Sequence, residues 1–276
     1  MDAVLELDGG DLASLIGLVR QHTGIAMNEH KRVLLQGRLR PRMRALGLSS
    51  YRDYIARVRG GGTEVQAFVD LVTTNDTAFF RTPAVWGYLE REFLPQWLAR
   101  CGDVVLQAWS AAAASGEEAY SLAMLCREFQ ERHPQFRFQI HATDISGAVL
   151  RTAAAGHYAG RSVTRLAETH PALLAKYLRP EGTGQRVLPE LRERIRFGEH
   201  NLLAAPCRVA RFDLVLLRNV LIYFDEEHQR RALHGVRAAM APHARLLLGE
   251  QESITRIDTP FEFERMHVYR IRKEHA

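Results

Sequence analysis

The spacing of apolar and polar positions divides the chain into a helical opening and a strand-and-helix remainder. Leu12, Leu15, Ile16 and Val19 recur at helical spacing, and Gly24 ends that segment. A second helix is predicted from about Glu29 to Ala45, with Val33, Leu34, Leu35, Leu39, Met43 and Leu46 toward a core. Pro41 falls inside it and should kink or break it, since an interior proline costs about 3 kcal/mol. Tyr51–Arg59 and Glu64–Val72 give two more helical pieces across the Gly60–Gly62 run. Nothing in 1–72 reads as a strand of any length. From about residue 84 the pattern changes. A helix (Val85–Ala99) precedes a strand (Val104–Trp109), a small-residue loop, a helix (Glu117–Glu131) and a strand (Phe136–Thr143). Further strands are predicted at Arg194–Phe197, Phe212–Leu217, Arg245–Gly249 and Met266–Arg272. Alternation of this kind argues for a parallel α/β sheet. The last two strands leave no room for a full helix between them, so the final strand should be antiparallel.

The stretch Phe212–Asp225, FDLVLLRNVLIYFD, carries the most information. Its first half is continuously apolar, as suits a strand covered on both faces. It then presents Arg218 and Asn219 at the carboxyl end, where open α/β sheets bind ligands. A second apolar run, Val220–Phe224, carries Tyr223. The loop after the first strand, Ser110 to Glu118, is built of small residues that admit a ligand to the backbone, and Gly116 permits the turn into the helix. It is not GxGxxG, which disfavours a nicotinamide cofactor. Glu117 and Glu118 would repel a pyrophosphate and suit a ligand with an ammonium or sulfonium; one of them should do no more than complement the helix dipole. Asp144 ends the second strand, where an acid accepts from ribose hydroxyls or caps the next helix. Asn201 and Leu202 follow the third strand and offer an adenine one polar and one apolar contact. Four such strand ends describe a pocket for an adenosine with a charged amino-acid tail, and S-adenosylmethionine is the candidate.

Composition narrows the class. The 276 residues are 46% hydrophobic and 25% charged, ordinary for a globular protein of one large or two modest domains. No apolar run approaches the roughly 18 residues that span a bilayer. The opening, MDAVLELDGGDL, lacks the pattern of a signal peptide, and Cys101, Cys126 and Cys207 form no ligand pattern, so a cytoplasmic protein without a metal site is expected. Charge is unevenly spread: nine Lys/Arg lie between His30 and Gly60 against one acid, Asp53. That density points to an acidic partner, while Tyr51 and Tyr54 alone give little support to base stacking.

Five segments taken together are similar to one family: TTNDTAFFR (73–81), WSAAAASGEEAYSLA (109–123), ATDIS (142–146), HNLL (200–203) and RNVLIYFD (218–225). The chain resembles the CheR-type chemoreceptor glutamate O-methyltransferases from about residue 12 to 272, with the motifs in family order. The resemblance implies an all-α N-terminal domain (1–80, basic and receptor-facing) before a Rossmann-like α/β S-adenosylmethionine-dependent methyltransferase domain (81–276) with a small β-subdomain insert at about 176–197. It implies transfer of a methyl group to glutamate side chains of chemoreceptor helices, with S-adenosylhomocysteine as product. Carried over by motif, Asn75, Thr77 and Arg81 close over the cofactor, Glu118 meets its methionyl end and Asp144 its ribose. Asn201 and Leu202 flank the adenine, Arg218 and Asn219 sit beside the sulfonium, and Arg81 and Tyr223 lie nearest the methyl transfer.

The chain departs from the family in its loop 110–119, in GEQES (249–253) where a Gly-His-Ser-Glu-Ser type run is common, and in Pro41, within a helix proposed to read the receptor. The insert is shorter around Gly182–Gly184 than in family members that grip a receptor's C-terminal pentapeptide, so no dependence on such a tail is expected. A monomer is expected, without nucleic-acid binding or membrane insertion. Two other readings stand beside the enzyme. A cofactor-binding module without catalysis would keep Glu118 and Asp144 but not need Arg81 and Tyr223. A nucleic-acid methyltransferase would use the basic N-terminal face, but the Asn/Asp-Pro-Pro-Tyr/Phe motif is missing.

Overall fold

The computed structural model describes residues 6–207 and 211–272; the first five residues of the opening read for a signal peptide lie outside that range. Four helices come first: α1 (Gly9–Thr23), α2 (Arg32–Ala45), α3 (Tyr51–Arg59) and α4 (Thr63–Val72). Asp8 caps α1 by accepting from Asp11 N at 2.7 Å, and Ser50 caps α3 in the same way. Leu15, Leu35, Leu39, Met43, Tyr54 and Phe68 meet in their shared core.

Two expectations fail in α2. The helix is not broken at Pro41 but runs from Arg32 to Ala45. The carbonyl that the proline leaves unpaired belongs to Gly37, which is exposed and open to water, while Leu35, Leu39 and Met43 on the opposite face are fully buried. That burial, some 1.5–3 kcal/mol per side chain, outweighs the cost of the proline. Val33 and Leu34 do not join the core: they are 77% and 37% exposed, because the buried stripe follows the i, i+4 spacing of 35, 39 and 43.

The predicted helix over 85–99 is α5 (Pro83–Tyr88) and α6 (Leu94–Cys101), joined by a π-helical turn at Leu89–Phe93. The wide turn makes room for Pro95 at the start of α6. Then follow β1 (Val105–Ser110), α7 (Glu117–Arg132), β2 (Arg137–Asp144), α8 (Gly147–Ala155), β3 (His157–Tyr158), α9 (Arg161–Thr169), α10 (Pro171–Tyr177), β4 (Leu178–Glu181), β5 (Gly184–Val187), α11 (Pro189–Arg192), β6 (Ile195–Glu199), β7 (Phe212–Leu217), α12 (Glu226–Ala239), β8 (Met240–Leu248), β9 (Phe261–Arg265) and β10 (Val268–Ile271). The run Val220–Phe224 is a single 3-10 turn, not a continuation of β7.

The main sheet has the order β6-β2-β1-β7-β8-β10-β9. Its first five strands are parallel, and β10 is antiparallel to both neighbours. All six residues of β7 are buried: Leu214 and Leu216 pack into one core, Val215 and Leu217 into the other. Burial on both faces is the reason for its unbroken apolar run. The edge strand β9 was not predicted, although FEFER alternates as a half-buried strand should. The small sheet, β3-β5-β4, takes in His157–Tyr158 from upstream of the expected insert, while Ile195–Glu199 pairs in the main sheet.

Pro41 is exposed, so its replacement forfeits no packing. Pro41→Ala is expected to stabilise the chain by about 1–3 kcal/mol, read as a raised denaturant midpoint with an unchanged slope.

Candidate functional site

The carboxyl ends of β1, β2 and β7 and the loop after β6 open on the same edge of the sheet, where strand order reverses between β1 and β7. A concave cavity lies there, at the kind of switch point where such sheets bind small molecules. The helical domain closes one wall through Thr23 and Ile25. Asn75, Thr77, Arg81, Glu118, Asp144, Asn201, Leu202, Arg218, Asn219 and Tyr223 all line the cavity.

At its floor is a buried ion pair. Arg218 Nη1 donates to Glu118 Oε2 at 2.9 Å, with the two side chains 2% and 10% exposed. The other glutamate oxygen accepts from Ser110 Oγ at 2.7 Å, and Arg218 Nη2 donates to the Arg81 carbonyl at 2.9 Å. Burial pushes the Glu118 carboxyl above its ordinary value; Arg218 and Ser110 pull it back. Glu117 is also engaged, accepting from Ser115 and Ser162 hydroxyls, so neither glutamate serves the helix dipole alone. Asp144 is buried and shifted upward by desolvation, against hydrogen bonds from Ala114 N at 2.9 Å and Ser146 N at 3.0 Å.

Backbone strain gathers at this site. Phe80, Thr82, Ala114 and Asn219 have φ values of 50°, 65°, 46° and 60°. Ala114 and Asn219 line the cavity, and the other two flank Arg81. Left-handed conformations of non-glycine residues persist only where surroundings hold them. For Asn219 the holder is Glu252, a residue sequence reasoning passed over. Its carboxylate accepts from the backbone N–H of Gly249, Asn219, Val220 and Leu221 at 2.7–2.8 Å. An acid in a loop far along the chain gives no local sign of such a role.

Three predicted residues act differently from a simple lining. The Asn201 amide is engaged on both sides, Nδ2 donating to His22 O at 3.0 Å and Oδ1 accepting from Leu203 N at 2.9 Å, which leaves one N–H and one oxygen lone pair for a ligand. It therefore fixes the loop that carries Leu202 and fastens it to α1. Gly24, at φ 74°, makes the same junction tight, since a Cβ there would overlap Leu203 Cδ1. Tyr223 is half-buried, and its carbonyl accepts from Ala26 N at 2.8 Å across the domain junction. Arg81, 36% exposed, stands at the mouth. Arg38, also missed, ties α2 to Val72 O, Thr73 O and Thr74 Oγ1 at 2.7–3.1 Å, so part of the basic run serves the interior.

The family model described as "CheR methyltransferase, all-alpha domain" matches residues 10–73, and that described as "CheR methyltransferase, SAM binding domain" matches residues 75–270. The chain belongs to the CheR methyltransferase family. It is 35% identical to chemotaxis protein methyltransferase 1 of Pseudomonas aeruginosa, over 87% of this chain and 88% of that protein. Chemotaxis protein methyltransferase Cher2 of Pseudomonas putida is 33% identical over 84% and 86%, and chemotaxis protein methyltransferase 2 of Vibrio cholerae 33% over 92% and 87%. This CheR-family protein is an S-adenosylmethionine-dependent methyltransferase of chemotaxis. Its own residues fit that cofactor. Two buried acids, Glu118 and Asp144, are of the type that would take an ammonium and a ribose, Ile145, Leu202 and Phe224 give an apolar slot, and Arg218 keeps a buried Nε with no partner among the described residues. No helix among the described residues is long and apolar enough to cross a membrane.

Removing the cation from the floor isolates the acid. Arg218→Met is expected to cost about 3–5 kcal/mol at neutral pH. Because burial raises the folded-state pKa of Glu118, protonation favours the folded form at low pH, and that contribution is lost as pH rises through the folded value. The variant's deficit should therefore shrink on acidification, as urea unfolding at acidic and neutral pH would record.

Proposed function

We propose that the chain transfers the methyl group of S-adenosylmethionine to glutamate side chains of chemoreceptor cytoplasmic helices, forming glutamyl methyl esters. The observation that carries this reading is Arg81, a guanidinium reachable from solvent at the mouth of an acid-floored, otherwise buried cavity. When bound, the cofactor supplies an activated methyl group on a cationic sulfur. A glutamate is already ionised at pH 7 and needs no general base. The chain's task is then to align a carboxylate oxygen and exclude water.

Glu118 holds the ammonium, Asp144 the ribose, and Asn201 and Leu202 flank the adenine. Arg218 and Asn219 bound the sulfonium region, while Asn75 and Thr77 close over it. Arg81 orients the incoming carboxylate by directed hydrogen bonds, and the Tyr223 hydroxyl helps position it. Arg81 also donates to Asp76 O at 3.1 Å, which keeps it from binding the acceptor so tightly that nucleophilicity is lost. The basic helical domain, with Lys31, Arg44, Arg52 and Arg59 exposed, steers acidic receptor helices toward the mouth in the cytoplasm.

We read the protein as a monomer that needs neither nucleic acid nor a receptor-tail pentapeptide. In support of the last point, β4 and β5 join through Gly182 and Thr183 alone, with Glu181 opposite Gly184. Pro180 lies on edge strand β4, where it removes a backbone donor that an added strand would use. Titration with a tail pentapeptide should show no micromolar binding; micromolar affinity would sink this part of the reading.

The central test is calorimetry with S-adenosylmethionine and S-adenosylhomocysteine. Both should bind wild type, and Asp144→Ala should abolish both. With a receptor cytoplasmic fragment, wild type should form base-labile methyl ester. Arg81→Ala should lower kcat by about 10²-fold or more with cofactor affinity retained, the scale lost when a transition-state contact is removed.

A further inference from the structure

Beside the cofactor cavity, and sharing the wall Asn75–Ala78 and Arg81 with it, lies a second cleft whose far side is α9 of the small subdomain. Three guanidinium groups line it: Arg81, Arg161 and Arg165. Arg161 and Arg165 are four residues apart on α9, so they share a face of that helix. Both are exposed, and Arg165 has no ion pair among the described residues. One of the two carboxylates in the cleft, Glu117, is turned inward and capped by the hydroxyls of Ser115 and Ser162. The other is Asp76, 63% exposed on the shared rim. Arg161 Nη2 donates to Asp76 Oδ1 at 2.8 Å, and Arg81 Nη1 lies 3.9 Å from Asp76 Oδ2. A carboxylate of the chain itself thus stands between the arginine at the reaction mouth and the arginine of α9.

From this geometry we infer that the cleft is the port of the methyl acceptor, and that Asp76 keeps the place which the acceptor's carboxylate takes between Arg81 and Arg161. The inference rests on the proposed glutamate acceptor and names the residues that select it. The exchange is nearly balanced. The Asp76 pairs are exposed and individually weak, so an incoming carboxylate replaces like with like at little cost. Arg165, one turn along α9, is then available to a second acid of the same segment. An acceptor without a negative side chain gains nothing by displacing Asp76, so the placeholder discriminates as well as yields. The occupant is an acidic, glutamate-bearing protein segment, and α9 is a specificity element apart from the basic helical domain.

The test is a binding titration on the full chain saturated with S-adenosylhomocysteine. The probe is a fluorescein-labelled peptide of repeating Glu-Glu-Ala-Ala-Gln-Ala-Ala sequence. Arg161→Ala and Arg165→Ala should each weaken binding about 2–5-fold, the scale of one exposed ion pair, and Asp76→Asn should tighten it by about as much. Arg161 is 87% exposed, so its removal leaves the fold intact, and calorimetry should show unchanged S-adenosylhomocysteine affinity for both arginine variants. Arg100→Ala, an equal change of charge at an exposed position of α6, should leave peptide affinity as in wild type. Peptide affinities unaltered by the two α9 substitutions, equal weakening by Arg100→Ala, no tightening in Asp76→Asn, or no binding by wild type would each overturn the inference. The ester assay separates it from the reading beneath. Base-labile ester formed with a KM that Arg161→Ala does not raise defeats the port and spares the glutamate acceptor. The predicted peptide affinities with no ester from wild type defeat the acceptor reading and leave the acidic docking cleft standing.

Discussion

The arrangement depends on one buried ion pair. Arg218 reaches from the end of β7 to Glu118 at the start of α7 and to the carbonyl of Arg81, while Glu118 takes the hydroxyl of Ser110 at the end of β1. Three segments distant in sequence, around Arg81, Ser110–Glu118 and Arg218, are thereby fixed to one another at the cavity floor. Such a pair gains little over apolar packing, because desolvation offsets the attraction. Its value is geometric: each group is intolerable alone, so the segments meet in one register or not at all.

The helical domain belongs to the same construction. Ala26 N binds the Tyr223 carbonyl, Asn201 binds the carbonyl of His22, and Arg20 pairs with Asp225 at 2.8 Å. Gln66 Nε2 adds a bond to the Ile145 carbonyl at 3.0 Å. These contacts hold the loops after β2, β6 and β7 from outside the sheet, and Arg38 fixes the strap that leads from α4 to Arg81. A domain whose composition suggests a docking surface is thus also a wall of the cavity. Its basic residues divide accordingly: Arg42 forks onto nearly buried Glu64, holding that carboxyl below its usual range, while others remain on the surface.

What was legible in the sequence was local. The unbroken apolar run of β7, the small-residue turn before Glu117 and the acid ending β2 each announce themselves through neighbouring residues, and all converge on the cavity. Hidden features depend on partners remote in the chain. Nothing near Glu252 says that it gathers four backbone donors, three of them about thirty residues upstream. Asn201 announced itself as a polar group at a strand end, but its bonds to His22 O and Leu203 N did not, because His22 lies 179 residues away. Pro41 misled in the opposite direction, since local propensity was correct and tertiary burial of Leu35, Leu39 and Met43 overrode it. The strand β9 was an oversight, as its alternation was visible.

The two arginines at the site show how burial decides what one side chain can do. Arg218 has lost nearly all contact with water, and its terminal nitrogens are committed to a carboxylate and a carbonyl. Exchanging either partner would strand a charge in a medium that cannot solvate it, so it acts as a fixed source of field. Arg81 is a third exposed, and its partners are the carbonyl of Asp76 and a carboxylate at 3.9 Å. Water can replace either at small cost, so the group is free to follow an arriving ligand and release it afterwards. The Arg81 carbonyl, meanwhile, is held by Arg218 and by Trp86 Nε1 at 2.8 Å. The backbone of the exposed arginine is therefore anchored by the buried one.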